Sequence, residues 1–328
     1  MRFNSSMAAP IFSALLFLFA WALPPSSFAE GGPIHGLWVW KTASVSNNLR
    51  GAQELRAFCR SEGINEVYLS ISAKDGEAEF ARFAALIGLL HQSGIRVEAL
   101  FGDADGDQPG KPREAVLDRV RGVVQFNQRH PADRFDGVHL DLEPHQRPEN
   151  KGPGNLKFLP DLVETYRQVR ALAEPAGLMV NADIPNKLLK GDLAERKILF
   201  SSVPRVTLML YEIASPGDGK SAAEKKEQLR KLSEKYLAMA YEGLTETNLA
   251  KIGIALRTPD YGEMLPEMLK TLDAAFHGNP HYLGWARHSY NDLPTAIARP
   301  GTLAPGRGCR ARRRSWDARR APTGGDSP

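Results

Sequence analysis

The chain has 328 residues, 42% of them hydrophobic and 24% charged, with a formal net charge of +4 and only two cysteines, Cys59 and Cys309. That balance excludes a disordered tail protein, a collagen-like fibre and a disulfide-dense miniprotein, and at roughly 100–200 residues per domain it allows one large domain or two small ones. The positive charge is local: residues 301–328 carry seven arginines and two aspartates, whereas Glu30–Pro300 is near neutral, so the pattern implies no nucleic-acid partner for the main domain.

Arg2 precedes an apolar run from Met7 to Leu23, and Ser27 and Ala29 then place small residues at the −3 and −1 positions of a cleavage site. This reads as a secretory signal peptide over residues 1–29. An uncleaved anchor is the alternative, but a run of about 17 residues broken by Pro10 is short for a span. The mature chain is therefore expected to be exported, periplasmic or secreted, without stable membrane insertion. Cys59 lies in a helical pattern and Cys309 in the basic tail, so no disulfide framework is implied.

The rest of the chain repeats a short apolar strand, a polar loop and an amphipathic helix. Strand one is Gly36–Trp40, with a helix from about Asn47 to Glu62. Strand two is Glu66–Ile71, with a helix from about Glu77 to Ser93. Strand three is Arg96–Phe101, with a helix from about Arg113 to Gln128. Strand four is Gly137–Leu142, with a helix from about Leu156 to Pro175. Strand five is Leu178–Ala182 and strand six Arg205–Leu210, followed by a Lys/Glu-rich helix over about Ser221–Ala240. Strand seven is Lys251–Leu256, with a helix ending near Phe276, and strand eight is Tyr282–Arg287. Eight strands alternating with helices predict parallel βαβ units. Their span of about 255 residues matches an α/β (β/α)8 TIM barrel, which typically takes about 250. An open doubly wound sheet is the alternative, but no Gly-rich phosphate loop follows strand one. The expected layout is a signal peptide over 1–29, a barrel over 30–298 and a basic tail over 299–328, expected to be disordered.

In a barrel of this type the active site lies at the C-terminal ends of the strands. The densest polar set there is His139, Asp141 and Glu143, spaced by two and so on one face of strand four, while Val138, Leu140 and Leu142 face the other way. Burying neighbouring carboxylates is costly, and like charges side by side raise one pKa and make a proton donor at neutral pH. A metal site or a satisfied structural network is the bland counterpart.

The segment Asp136-Gly137-x-His139-x-Asp141-x-Glu143 resembles the DGxDxDxE motif of family-18 glycoside hydrolases, a family of chitinases and endo-β-N-acetylglucosaminidases. By that resemblance Glu143 protonates the glycosidic oxygen, and Asp141 orients the N-acetyl group that acts as nucleophile. His139 stands where the family has its first inner aspartate. Met209-Leu210-Tyr211-Glu212 is similar to the family's MxY(D/N) motif, which gives Tyr211 the role of holding the N-acetyl carbonyl. A weaker echo of a KxxxGxPxYG-like segment runs from Lys251 to Tyr261-Gly262. The family's floor tryptophan, four residues after a glycine in strand eight, falls on His288; Trp285 should face the other way.

Further candidates line the same end. Asn181 and Asp183 are read as binding sugar hydroxyls, or as an Asx turn before Pro185. Arg257 is placed to clamp an anionic group or to form a surface salt bridge. Glu98 lines the barrel or pairs with a cation. Trp38 and Trp40 share a face, for core packing or sugar stacking. Met209 and His139 complete the substrate-binding set. Asp103, Asp105 and Asp107 read as a solvated acidic loop, since they lack EF-hand spacing. Zinc on His139, His145, His288 and Asp141 has no HExxH-type spacing behind it. The expected protein is thus a cofactor-free, exported glycosidase-like barrel acting on N-acetylated glycans by substrate-assisted acid catalysis. The alternatives are a non-catalytic carbohydrate-binding barrel and a retaining glycosidase with a second carboxyl about 5–5.5 Å from Glu143.

Overall fold

A computed structural model describes residues 32–72, 77–152, 154–211, 219–245 and 250–293. The expected signal peptide, the basic tail with Cys309, and Glu212 lie outside the described residues.

Eight parallel strands close into a barrel in chain order: β1 Ile34–Val39, β2 Glu66–Ser70, β3 Arg96–Asp103, β4 Gly137–Leu142, β5 Met179–Pro185, β6 Arg205–Met209, β7 Lys251–Arg257 and β8 Tyr282–His288. The (β/α)8 expectation holds. Helices α1 Ala43–Ser46 and α2 Leu49–Glu62 follow β1, α3 Glu77–His91 follows β2, α4 Lys111–Arg129 follows β3, and α5 Leu159–Ala173 follows β4. Then come α6 Leu193–Ser202, α7 Ala222–Glu242, α8 Thr258–Tyr261 and α9 Leu265–Phe276. β8 closes on β1 in the register Ile34↔Gly284 to Leu37↔Arg287. Among the described residues no helix is long and apolar enough to cross a membrane.

Period-two alternation builds the two layers. Outward residues such as Leu37, Val67, Val97, Val138, Leu140 and Ile254 pack against the helices in one continuous core. The helices meet it with residues spaced three or four apart, such as Leu55, Phe58 and Cys59 of α2, and Leu265, Met268, Leu269 and Leu272 of α9. Asn48 caps α2 by accepting from the Gly51 amide, and Gly63 ends it in the left-handed region at φ 68°. The inner layer is small: Trp38, Tyr68, Leu100, Ala255 and Ala286. Glycine makes its room, since a Cβ on Gly36 would lie 2.3 Å from the Tyr68 hydroxyl oxygen. Gly284, at φ 133°, lets β8 pass close to β1; a Cβ there would lie 2.0 Å from the Ile34 carbonyl oxygen.

Two departures from the sequence reading matter. β5 runs three residues past Ala182, to Pro185, which pairs with Met209 at the strand end. Asp183 is therefore a strand residue and not the start of an Asx turn. Between β5 and β6 the sequence reading had no helix; α6 is there, closed by a capping box in which Asp192 and Glu195 exchange side-chain and backbone bonds.

Candidate active site

The lower barrel interior holds a ladder of alternating charges. Arg96 Nη2 lies 2.7 Å from Glu66, whose other oxygen is 2.6 Å from Arg205 Nη2; Arg205 Nη1 donates to Glu98 at 3.0 Å. Glu98 meets His139 Nδ1 at 2.9 Å, and His139 Nε2 meets Asp183 at 2.8 Å. The second Asp183 oxygen accepts from Trp38 Nε1 at 3.2 Å. The side chains of Glu66, Glu98, His139 and Asp183 are at most 1% exposed. A buried charge is tolerable only when paired and hydrogen-bonded, and every member here is. Burial alone would neutralise His139, but Asp183 and Glu98 overcome it and push its pKa up to about 10. His139 is an imidazolium at neutral pH.

Above this ladder β4 turns out of the barrel. Leu142, facing out, is buried, while Asp141 and Glu143 stand inward at the mouth. Burial first, then the charges of Asp183 and Glu143, raise the Asp141 pKa well above the carboxylate range, with His139 opposing. Asp141 Oδ1 is buried without a hydrogen-bond partner. Burial and Asp183 push Glu143 up to about 7, against the pull of a donor on Gln146. The Gln146 amide donates to Glu143 Oε2, and His145 Nε2 lies 3.7 Å from Oε1. Burial and nearby Lys187 lower His145 to about 4, so it is neutral beside Glu143. The turn Pro144–Gln146 that brings both back to Glu143 is a single 3-10 turn opened by Pro144.

Across the mouth, the Tyr211 hydroxyl is buried and unpartnered, and burial with Asp183, Asp141 and Glu143 raises its pKa well above that of a free phenol. It stays a hydrogen-bond donor. His288 closes the far side: its Nε2 accepts from Trp40 Nε1 at 2.9 Å, and its ring lies 5.5 Å from Tyr211 and 5.7 Å from Trp38. Burial lowers its pKa, leaving a neutral imidazole. Trp285 stacks on His35 at 4.1 Å outside the barrel, whereas His288 stands at the mouth beside Tyr211.

The structure therefore brings Asp141, Glu143, Tyr211, His288, Trp40 and Met209 to one end of the barrel. Four predicted sugar contacts are out of reach. His139 and Asp183 are buried with their polar atoms engaged, and Asn181 is buried between Glu98 at 3.5 Å and Thr207 at 3.4 Å. Trp38 is 1% exposed, edge-on to Tyr68 at 4.9 Å and to His139 at 5.6 Å, so it packs the core and does not stack on a sugar. Arg257 reaches the rim, 5.8 Å from the Tyr211 ring centre, and donates to Asp260 at 2.7 Å. Tyr261 packs in the outer core and does not join the site. The acidic loop after β3 is not simply solvated: Arg119 holds Asp103, and Arg147 holds the buried Asp107. Among the described residues no group of three or more His, Cys, Asp or Glu gathers as a metal site. Cys59 is buried and free.

Sequence reasoning weighed His145 only as a zinc ligand, not as the neutral ring beside Glu143, and missed Gln146 and Arg205. The last was open to view, because Glu66 and Arg205 are charged positions on the inward rows of apolar strands. A groove of about 810 Å³ between α5 and α6, lined by Leu156, Val163 and Ile198 among others, contains none of the mouth residues.

Comparison with solved structures returns barrels. An exo-β-1,4-mannosidase from Opitutaceae bacterium strain TAV5 matches with a TM-score of 0.55 and 12% identity, over 78% of this chain and 52% of that one. The chain thus spans about half the length of that mannosidase. An endo-1,4-β-D-mannanase from Thermotoga petrophila RKU-1 matches at 0.54 and 12% identity, over 78% and 87% of the two chains. A chitinase from Chromobacterium violaceum matches at 0.47 and 11% identity, over 81% and 97%. At this identity the likeness shows the barrel fold alone. No family model and no curated protein sequence matches the chain.

Proposed function

We propose that the mouth of the barrel is the active centre of an exported glycoside hydrolase that cleaves N-acetylated glycans, with Glu143 as its proton donor. The observation that carries the reading is Glu143 itself: a carboxyl pushed up to about 7, at the mouth, next to an unpartnered Asp141 oxygen and an unpartnered Tyr211 hydroxyl. A general acid works best with a pKa near the working pH, and unpaired buried polar atoms are costly unless a ligand completes them. The mannosidase and mannanase names on the matched barrels agree with a glycosidase at the level of reaction class. Export rests on the sequence pattern of residues 1–29.

The chemistry follows from the donors and acceptors. Glu143 transfers its proton to the glycosidic oxygen as the bond from that oxygen to the anomeric carbon breaks. The carbonyl oxygen of the substrate's own acetamido group closes on the anomeric carbon, giving a cyclic oxazolinium ion. With the one proton of the Asp141–Glu143 pair placed on Glu143, the ionised Asp141 accepts the acetamido N–H and balances the developing positive charge, while Tyr211 donates to the carbonyl side. Water then attacks the anomeric carbon, the bond from that carbon to the acetamido oxygen breaks to restore the acetamido group, and the Glu143 carboxylate takes the water's proton. No protein nucleophile is required. Other carboxylates near the strand ends are engaged: Asp183 by His139, Asp103 by Arg119, Asp107 by Arg147 and Asp260 by Arg257. That occupancy favours substrate assistance over a two-carboxylate retaining route.

The test is a panel of N-acetylglucosamine oligosaccharides and peptidoglycan fragments, with products followed by mass spectrometry for the protein and for Glu143→Gln. Cleavage that disappears in the variant is the expected result. Binding by both proteins without cleavage by either would overturn catalysis in favour of a carbohydrate-binding barrel.

A further inference from the structure

Asp183 sits one strand over from the carboxylates it influences. The β4–β5 register pairs His139 with Asn181 and Leu140 with Ala182, so the next step up sets Asp183 beside Asp141 on the same inward face. Neighbouring strands are about 4.8 Å apart. Both oxygens of Asp183 are used inside the barrel, by His139 and by Trp38, and its side chain is fully buried. Neither oxygen is accessible to a sugar. Burying a carboxylate next to a site that already holds two is costly.

Resting on the glycosidase reading above, we propose that Asp183 is a positioning residue for the proton. Its carboxylate is the fixed counter-ion of the His139 imidazolium, and its negative charge keeps one proton on the Asp141–Glu143 pair without touching the substrate. The like charge arrives from β5, and His139 supplies the cation that holds it there.

The surroundings bear on the sign. Below lie Glu98 and Arg205, paired with each other and with His139 and Glu66, so their charges largely cancel. On the same level as Asp183 are Asp141 and Glu143 from β4, the Tyr211 phenol after β6, Arg257 of β7 in its bond to Asp260, and the neutral His288 of β8. From outside, the buried Tyr166 phenol of α5 also responds to Asp183. Asp183 is the largest charge named for Asp141, Glu143 and Tyr211 alike, after burial. Removing it takes away the like charge that acts on Glu143.

The experiment is a pH titration of ¹³C-labelled carboxyl groups by NMR, on the protein and on Asp183→Asn, with Glu143→Gln to assign the signal. The expected midpoint for Glu143 is about 7 in the protein and about 1–2 pH units lower in Asp183→Asn, the size of shift that a neighbouring like charge produces. A midpoint that stays within about 0.3 units overturns the proposal. In kinetics the same variant should shift the alkaline limb of the rate by the same amount with KM changed less than about threefold. A large rise in KM with an unmoved limb would mean that Asp183 binds substrate. The titration needs no turnover, so it decides the point even where the glycosidase reading fails. Where Asp183→Asn does not fold, ¹⁵N shifts of His139 in the unaltered protein decide: both ring nitrogens protonated at pH 8 is required, and a neutral ring refutes the counter-ion role.

Discussion

Arg205→Met removes the cation that joins Glu66 to Glu98 in the barrel interior. The guanidinium lies 2.6 Å from one carboxyl and 3.0 Å from the other, and neither carboxyl is more than 1% exposed. Removing one partner of a buried ion pair costs about 3–5 kcal/mol, because the remaining charge stays desolvated. Two carboxylates are affected, but Arg96 still holds Glu66 and His139 still holds Glu98, so the cost should remain near about 4 kcal/mol and not double. That is a large part of a typical folding stability of about 5–15 kcal/mol. With a urea slope of about 3 kcal/mol per molar for a domain of this size, the midpoint should fall by about 1.3 M at pH 7.5, read by far-ultraviolet circular dichroism. A midpoint drop under about 0.3 M for Arg205→Met alone would refute the claim that the ladder needs its central cation.

Other outcomes follow from the same geometry. His139 has a pKa of about 10 in the folded protein against an ordinary 6.5, so its stabilisation is complete below about 6.5 and is lost as pH rises through about 10. Urea midpoints should accordingly fall between pH 7 and pH 10.5, and a constant midpoint would show that His139 is not the paired cation described. Hydrolysis should decline as pH rises past about 7, where Glu143 loses the proton it must donate; a rate flat to pH 9 would contradict that assignment. Gly36→Ala pushes a methyl group to 2.3 Å from the Tyr68 oxygen and should destabilise by about 1–3 kcal/mol in thermal or urea unfolding. Tyr211→Phe should slow turnover by about 10–100-fold with folding intact, the loss expected when the hydroxyl that orients the acetamido carbonyl for attack is removed.

The barrel was legible because each strand carries its own alternation. Val138, Leu140 and Leu142 against His139, Asp141 and Glu143 fix both faces of β4 in six residues, and the structure keeps that division. The missed helix α6 has a weak apolar stripe, with Leu193 and Ile198 left exposed, although its Asp192-x-x-Glu195 cap was there to be read. β5 read short because Pro185 signals a turn in isolation; at the strand's last position it costs no ladder hydrogen bond that the sheet needs. The fate of Asp183, Asn181 and Trp38 was not readable from local pattern. Their partners lie far along the chain, with 145 residues between Trp38 and Asp183. Barrel closure alone decides which inward residues end below the mouth and which end at it.

The central claim is that Glu143 delivers a proton to the leaving oxygen. It is tested most directly by kcat/KM on aryl N-acetylglucosaminides and oligosaccharides of graded leaving-group acidity, for the protein and for Glu143→Gln. Acid catalysis matters most for a poor leaving group. The variant should lose about 10²–10⁴-fold on a sugar leaving group and progressively less as the leaving group becomes more acidic. An equal loss across the series, or hydrolysis of the oligosaccharide that is unchanged in Glu143→Gln, would contradict the account.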